Sequence, residues 1–307
     1  ANPRWLSTLA APNTATDVAV DGSIAYFIAM NKLYTVDISD PRQPTFISEI
    51  RLAPRLVGLW AAQGFVYVSS DKGFHIVDCT NPTQPIVAEQ LDLNANEGSP
   101  VLVNGYLYTI ANSQLAILSI TNPYVPQIVK RIELNSSPDQ IVTSGNVAYL
   151  ANGSQGLAIW DVTDPLQPTQ IATYPTPSYA IAVAVHDRVL YLTDLDEGLQ
   201  LYRIAQTGTL ISLGSFTPLG QTMESVIVQN TAFAIGGSRG DLHCIDLTNP
   251  KQGQQIARHE QAGFIHDVAY VDPYLYVTGE ATGLRVFDLR HAEQPPIEYP
   301  LSASSIF

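Results

Sequence analysis

The chain has 307 residues, 46% apolar and only 14% charged, with a formal net charge of −13 at pH 7. That balance argues against nucleic acid or an anionic membrane surface as a partner, since either would be met against repulsion. No stretch approaches the roughly 18 consecutive apolar residues of a membrane helix, and no Ser/Gly-rich linker or charge run divides the chain, so residues 1–307 are read as one domain.

The first predicted element is Trp5-Leu6-Ser7-Thr8-Leu9, which follows Asn2-Pro3 and looks like the last strand of a unit whose earlier strands are missing at this end. From Val18 onward a four-part phrase recurs. An apolar segment (Val18-Ala19-Val20) meets a turn (Asp21-Gly22), then a short apolar run around an aromatic (Tyr26), then a strand that closes on an Asx-Pro turn (Leu33 to Pro41). A fourth apolar segment, Phe46-Ile47-Ser48-Glu49-Ile50, completes the unit.

The phrase is fullest in Gly156-Leu157-Ala158-Ile159-Trp160-Asp161-Val162-Thr163-Asp164-Pro165-Leu166-Gln167-Pro168. Its apolar run carries β-branched and aromatic residues, Asp161 and Asp164 can bond nearby amides, and the prolines stop the strand. One position of the phrase forms the column Asp37, Asp78, Ser119, Asp161, Arg203, Asp246 and Asp288, at steps of 41, 41, 42, 42, 43 and 42 residues. A second column, upstream, is aromatic in every copy: Tyr26, Tyr67, Tyr108, Tyr149, Tyr191, Phe233 and Tyr276.

Seven units of about 42 residues, four strands each and with no helical periodicity, predict an all-β fold, a seven-bladed β-propeller of four-stranded antiparallel blades. The aromatic column is then packing between blades. Two segments compete for the last place in the ring. Pro295, Pro296 and Pro300 crowd Ile297-Glu298-Tyr299, so the N-terminal strand is expected to close it.

At Gly73-Phe74-His75-Ile76-Val77-Asp78 and at Gly156 to Pro165 the chain resembles the LVIVD-repeat family, over residues 4–300. The match is weakest in repeat five, where Arg203-Ile204-Ala205-Gln206 replaces the Asp and the Asx-Pro, and is reduced in repeat seven, where Arg290-His291-Ala292 replaces the Asx-Pro. The resemblance implies a propeller, common in surface or exported bacterial and archaeal proteins, and carries over no catalytic motif. With only four lysines against abundant Gln, Thr and Asn, an extracellular, periplasmic or cell-surface location is expected, while the start at Ala1-Asn2-Pro3 suits a mature exported protein and an excised piece equally well.

Counting back nine residues from each aromatic reaches the entry of each innermost strand: Asp17, Gly58, Ser99, Gln140, Ala182, Glu224 and Asp267. Blades six, seven and one are neighbours in a closed ring. Glu224, Asp267 and Asp17 are therefore expected side by side at one end of the channel, with His266 and Met223 beside them. Adjacent carboxylates raise one another's pKa and invite a divalent cation or a basic group; alternatively, each bonds backbone amides at the start of its strand. No other cofactor is expected.

Other motifs read as turns or coincidences. Asp194-Leu195-Asp196-Glu197-Gly198 is a fragment of a calcium-loop pattern without its closing glutamate, and Arg239-Gly240-Asp241 spells an adhesion tripeptide in a glycine turn. Cys79 and Cys244 occupy different places in their repeats and suggest no disulfide, while His75 and His243 fall in strands as hydrogen-bonded residues. The leading expectation is a monomeric, non-catalytic binding or scaffold module that engages a protein, peptide or glycan through one face. The alternative is an enzyme, a hydrolase or lyase, using the acids at the channel mouth.

Overall fold

The apolar runs pair into seven antiparallel sheets of four strands in a computed structural model, which describes residues 3–10, 14–93, 97–186, 188–205, 209–216, 222–236, 240–249, 253–260, 264–280 and 283–290. Blade 1 is built from strands a to d at Ala15–Asp21, Ile24–Ala29, Lys32–Asp37 and Thr45–Arg51, and blades 2 to 6 repeat that order. In blade 7, strands a to c are Ile265–Val271, Tyr274–Gly279 and Gly283–Asp288. The N-terminal strand Arg4–Leu9 supplies d, pairing with Gly283–Asp288 from Arg4 opposite Asp288 to Leu9 opposite Leu284. The innermost strands touch their neighbours all the way round, including that of blade 1 against that of blade 7, so the ring is closed. The fold is a seven-bladed β-propeller, and the C-terminal candidate Ile297-Glu298-Tyr299 lies outside the described residues.

Strands b and c are buried on both faces, as the nearly unbroken apolar runs require. The core is consequently divided into seven clusters, one in each seam between neighbouring blades. Every member of the aromatic column is buried, and each stands in the seam between its own blade and the next, from Tyr26 between blades 1 and 2 to Tyr276 between blades 7 and 1. Burying one such ring contributes about 1.5–3 kcal/mol.

The aspartates of the phrase act on the backbone. Oδ1 of Asp37, Asp161 and Asp246 accepts the amide two residues on, each at 2.8 Å. A second Asx turn follows at the residue before proline: Asp40 accepts from Arg42 at 3.0 Å and Asp164 from Leu166 at 3.0 Å. These paired turns end strand c and aim strand d back along it. They also bridge seams, since the carbonyls of Pro41 and Pro82 accept the hydroxyls of Ser7 and Ser48 on the preceding blades, each at 2.6 Å. In the seam between blades 3 and 4, the phenol of Tyr108 donates to the carbonyl of Pro165 at 2.6 Å.

The closing strand can be tested by deletion. Removing residues 1–9 bares one edge of Gly283–Asp288 and uncovers Leu284 and Val286, which share a seam with blade 1. Thermal unfolding followed by circular dichroism should show a midpoint lower by at least ~5 °C, or loss of a single cooperative transition.

Candidate functional site

The channel end that carries the starts of the a strands is where the column Asp17 to Asp267 meets. In six blades the register of strand a shifts at or just beside this position, as between Ala15 and Asp17 or Ile265 and Asp267; blade 4 is regular there. Such bulges re-aim a side chain out of the pleat.

Asp17 is buried, 7% exposed, and its carboxyl reaches three blades. Oδ1 accepts the amide of Val18 at 2.7 Å; Oδ2 accepts the amide of Leu59 in blade 2 and the hydroxyl of Ser99 in blade 3, both at 2.7 Å. Asp267 repeats the pattern from blade 7, its Oδ2 accepting the amide of Val18 at 2.9 Å. Gln140 repeats it further round, its Oε1 accepting the amide of Val183 at 2.6 Å. The shared rule is that a side chain on one inner strand caps an amide of the next.

Ser99 reaches Asp17 only because blade 2 offers no side chain between them. A Cβ on Gly58 would stand 2.6 Å from Oγ of Ser99 and 2.8 Å from the carbonyl oxygen of Gly98. The glycine lets blades 1 and 3 meet across blade 2.

Burial, and then the charge of Asp267 and the hydrogen bond shared with it, push the Asp17 carboxyl well above the usual range. His266 stands next to Asp267 in sequence, its Nε2 3.8 Å from Oε1 of Glu280. Burial lowers its pKa, partly offset by Glu280 and Asp267, so the ring is neutral at pH 7. The structure thus brings Asp17 and Asp267 together, with His266 turned toward a different acid. Glu224 takes the equivalent backbone position in blade 6, opposite Ile235, while its side chain and that of Met223 lie outside the described residues. Among the described residues no group of three or more His, Cys, Asp or Glu side chains could hold a metal ion.

The other motifs are occupied structurally. Asp194 is buried and accepts the amides of Ser178, Asp196 and Glu197. Asp241 of the Arg-Gly-Asp tripeptide is fully buried, held by Nε and Nη2 of Arg258 at 3.0 and 2.5 Å. His75 and His243 are buried and hydrogen-bonded, to Ser70 and to Gln255. Cys79 and Cys244 are buried free thiols.

A different feature, not anticipated from the sequence, runs around the outer rim. The last residue before the register shift in each d strand forms the series Trp5, Phe46, Val87, Ile128, Gln170, Ser212 and Gln255. The first four, on blades 7, 1, 2 and 3, are apolar, and the last three, on blades 4, 5 and 6, are polar. Trp5, Phe46 and Val87 are 62, 53 and 43% exposed. Ile86, at 55%, lies beside Val87, and Tyr124 and Val125, at 48 and 60%, extend the apolar surface on blade 3; on blades 4, 5 and 6 the neighbours of the polar members, Ile171, Ile211 and Ile256, are also exposed, at 55, 42 and 44%. Aligning the d strands would have found the series, but the strands are short and the turn before them draws the eye.

The LVIVD repeat model matches residues 12–51, 57–92 and 137–176. No curated protein matches the sequence. Among solved structures, the chain is similar to the WD40 β-propeller domain of Doa1, with 13% identity, 95% of this chain and 98% of that one covered, and a TM-score of 0.72. It is also similar to BamB from Moraxella catarrhalis, at 16% identity, 92% and 85% coverage and a TM-score of 0.64, and to the computationally designed Ika8 protein, at 12%, 93% and 99%, and 0.64. At these identities the likeness concerns the fold.

Two substitutions test the mouth. Gly58→Ala should force Ser99 away from Asp17 and cost about 1–3 kcal/mol in urea unfolding. The proton on Asp17 is held more tightly folded than unfolded, so its contribution is full below the unfolded pKa and is lost as pH rises through the raised folded one. Asp267→Asn removes the facing charge, and should raise the unfolding midpoint at neutral pH and flatten its fall as pH rises above the ordinary carboxylate range.

Proposed function

From three matches to the LVIVD repeat and a seven-bladed propeller fold, we propose that the chain is an exported or cell-surface binding module that holds a protein partner against its outer rim. The observation that carries this reading is the apolar half of this one strand-d series, an arc exposed at Trp5, Phe46 and Val87. Scattered exposed apolar residues are ordinary, but a set at equivalent positions of adjoining blades is the pattern of an interaction surface. The blades share one architecture, so the polar half of the series is an internal reference at this position: Gln170 and Gln255 stand where Phe46 and Trp5 do on the other blades. The net charge of −13 favours a partner with a basic surface around its apolar contact.

The reading of the channel mouth as a cation or catalytic site draws on the nearness of Asp17 and Asp267. The amides of Val18 and Leu59 and the hydroxyl of Ser99, all bonded to these carboxyls, favour a structural role instead.

A photo-crosslinking residue placed at Phe46 or Val87, and separately at Gln170 or Gln255, tests the arc in the cells that make the protein. Protein adducts are expected from the first pair and not the second. Equal labelling from both pairs, or none from either, would contradict the proposal.

A further inference from the structure

The seam between blades 6 and 7 holds a cavity of about 370 Å³, on the face that carries the turns between strands a and b. That volume is at the small end of the roughly 300–1,000 Å³ range of ligand sites. Two departures from the repeat accompany it. At the start of strand b the blades present Ile24, Phe65, Tyr106, Val147, Val189 and Tyr274, but blade 6 presents the smaller, polar Thr231. In sequence, blade 7 also carries Arg290-His291-Ala292 where the full phrase has an Asx-Pro.

The seam between blades 2 and 3 shows the same position filled. There, Oδ1 of Asp78 accepts the amide and hydroxyl of Thr80 at 2.9 and 2.6 Å, and Oδ2 accepts the phenol of Tyr124, the residue after the Asn122-Pro123 turn of blade 3. The Tyr124 ring meets Phe65 edge-on at 5.6 Å.

Blade 6 repeats the acidic half of this arrangement: Asp78-Cys79-Thr80-Asn81-Pro82 becomes Asp246-Leu247-Thr248-Asn249-Pro250. Oδ1 of Asp246 accepts the amide and hydroxyl of Thr248 at 2.8 and 2.6 Å, while its Oδ2 takes no bond among the described residues. The bonds from Thr248 hold this carboxyl below its usual pKa, so it is an ionised acceptor at the cavity wall. The buried ring of Phe233 lines the same cavity. Arg290 forms a fixed side: it bonds Asp288 and donates to the hydroxyl of Tyr274 at 2.7 Å, with its guanidinium over that ring.

We infer that this cavity receives a tyrosine side chain of a partner polypeptide, its hydroxyl donating to Oδ2 of Asp246 as that of Tyr124 does to Asp78. The inference rests on the binding role proposed above. Trp5, at one end of the apolar arc, pairs with Phe287, a residue of this same seam.

The test titrates the full chain, by calorimetry or NMR, with a peptide of its own residues 119–126, which carry Asn122-Pro123-Tyr124, and with the Tyr124→Phe version of that peptide. Saturable binding of the first is expected, at least ~5-fold weaker for the second and for the Asp246→Asn protein, since a hydrogen bond to a charged acceptor is lost in each. Thr231→Phe, which installs the residue of blade 2, should abolish binding while circular dichroism stays unchanged. Equal affinity of the two peptides, binding that survives Thr231→Phe, or no saturable binding would each overturn the inference. Binding that emerges only in a Tyr299→Ala protein would also overturn it, by assigning the cavity to the chain's own C-terminal segment. Crosslinking from Phe46 and Val87 is independent of all these results, so the wider binding role stands or falls separately.

Discussion

Every blade in this protein is a sheet with two apolar faces, and such a sheet has no stable existence by itself. Its faces must be covered by other sheets, and a ring is the arrangement in which each sheet covers two neighbours and none is left over. The seams are where that cover is made. Each contains one aromatic of the column and the interior of strands b and c, and several carry a bridge such as Ser48 to Pro82 or Tyr108 to Pro165. Closure by the N-terminal strand follows from the same constraint, because without it blade 7 would expose the outer edge of Gly283–Asp288.

Much of this was legible in the sequence because it is local and repeated. An aspartate two residues before the amide it caps is visible as a pattern, and so is an aromatic at a fixed distance before it. Asp37, Asp161 and Asp246 perform the turn that their spacing predicts, and all seven column aromatics are buried. The placement of proline favoured Trp5-Leu6-Ser7-Thr8-Leu9 over the C-terminal segment as the closing strand, and the pairing of Arg4–Leu9 with Gly283–Asp288 agrees with it.

What the sequence did not disclose depends on distances across the ring. Asp17 and Asp267 could be placed together by counting blades, but not the donors they meet, which come from residues 42, 82 and 249 positions away. The need for glycine at position 58 is set by a serine in another blade. The apolar arc was hidden for a different reason: each d strand looks alike until its residues are set beside their partners on strand c. The seam cavity required both kinds of information, a small residue at Thr231 and its position across the seam from blade 7.

Repetition separates scaffold from specificity in this molecule. The turns, the column aromatics and the amide caps recur because every seam needs them, whereas the arc and the seam between blades 6 and 7 belong to particular blades. The claim on which the rest depends is that stability resides in the seams of a closed ring and not in individual blades. Native-state hydrogen exchange tests it directly. The amides of Leu59 in blade 2 and Val183 in blade 5, capped across seams by Asp17 and Gln140, should exchange with the same free energy and the same denaturant dependence, through one global opening. Exchange of one of them through a separate, lower-energy opening confined to its own blade would contradict it.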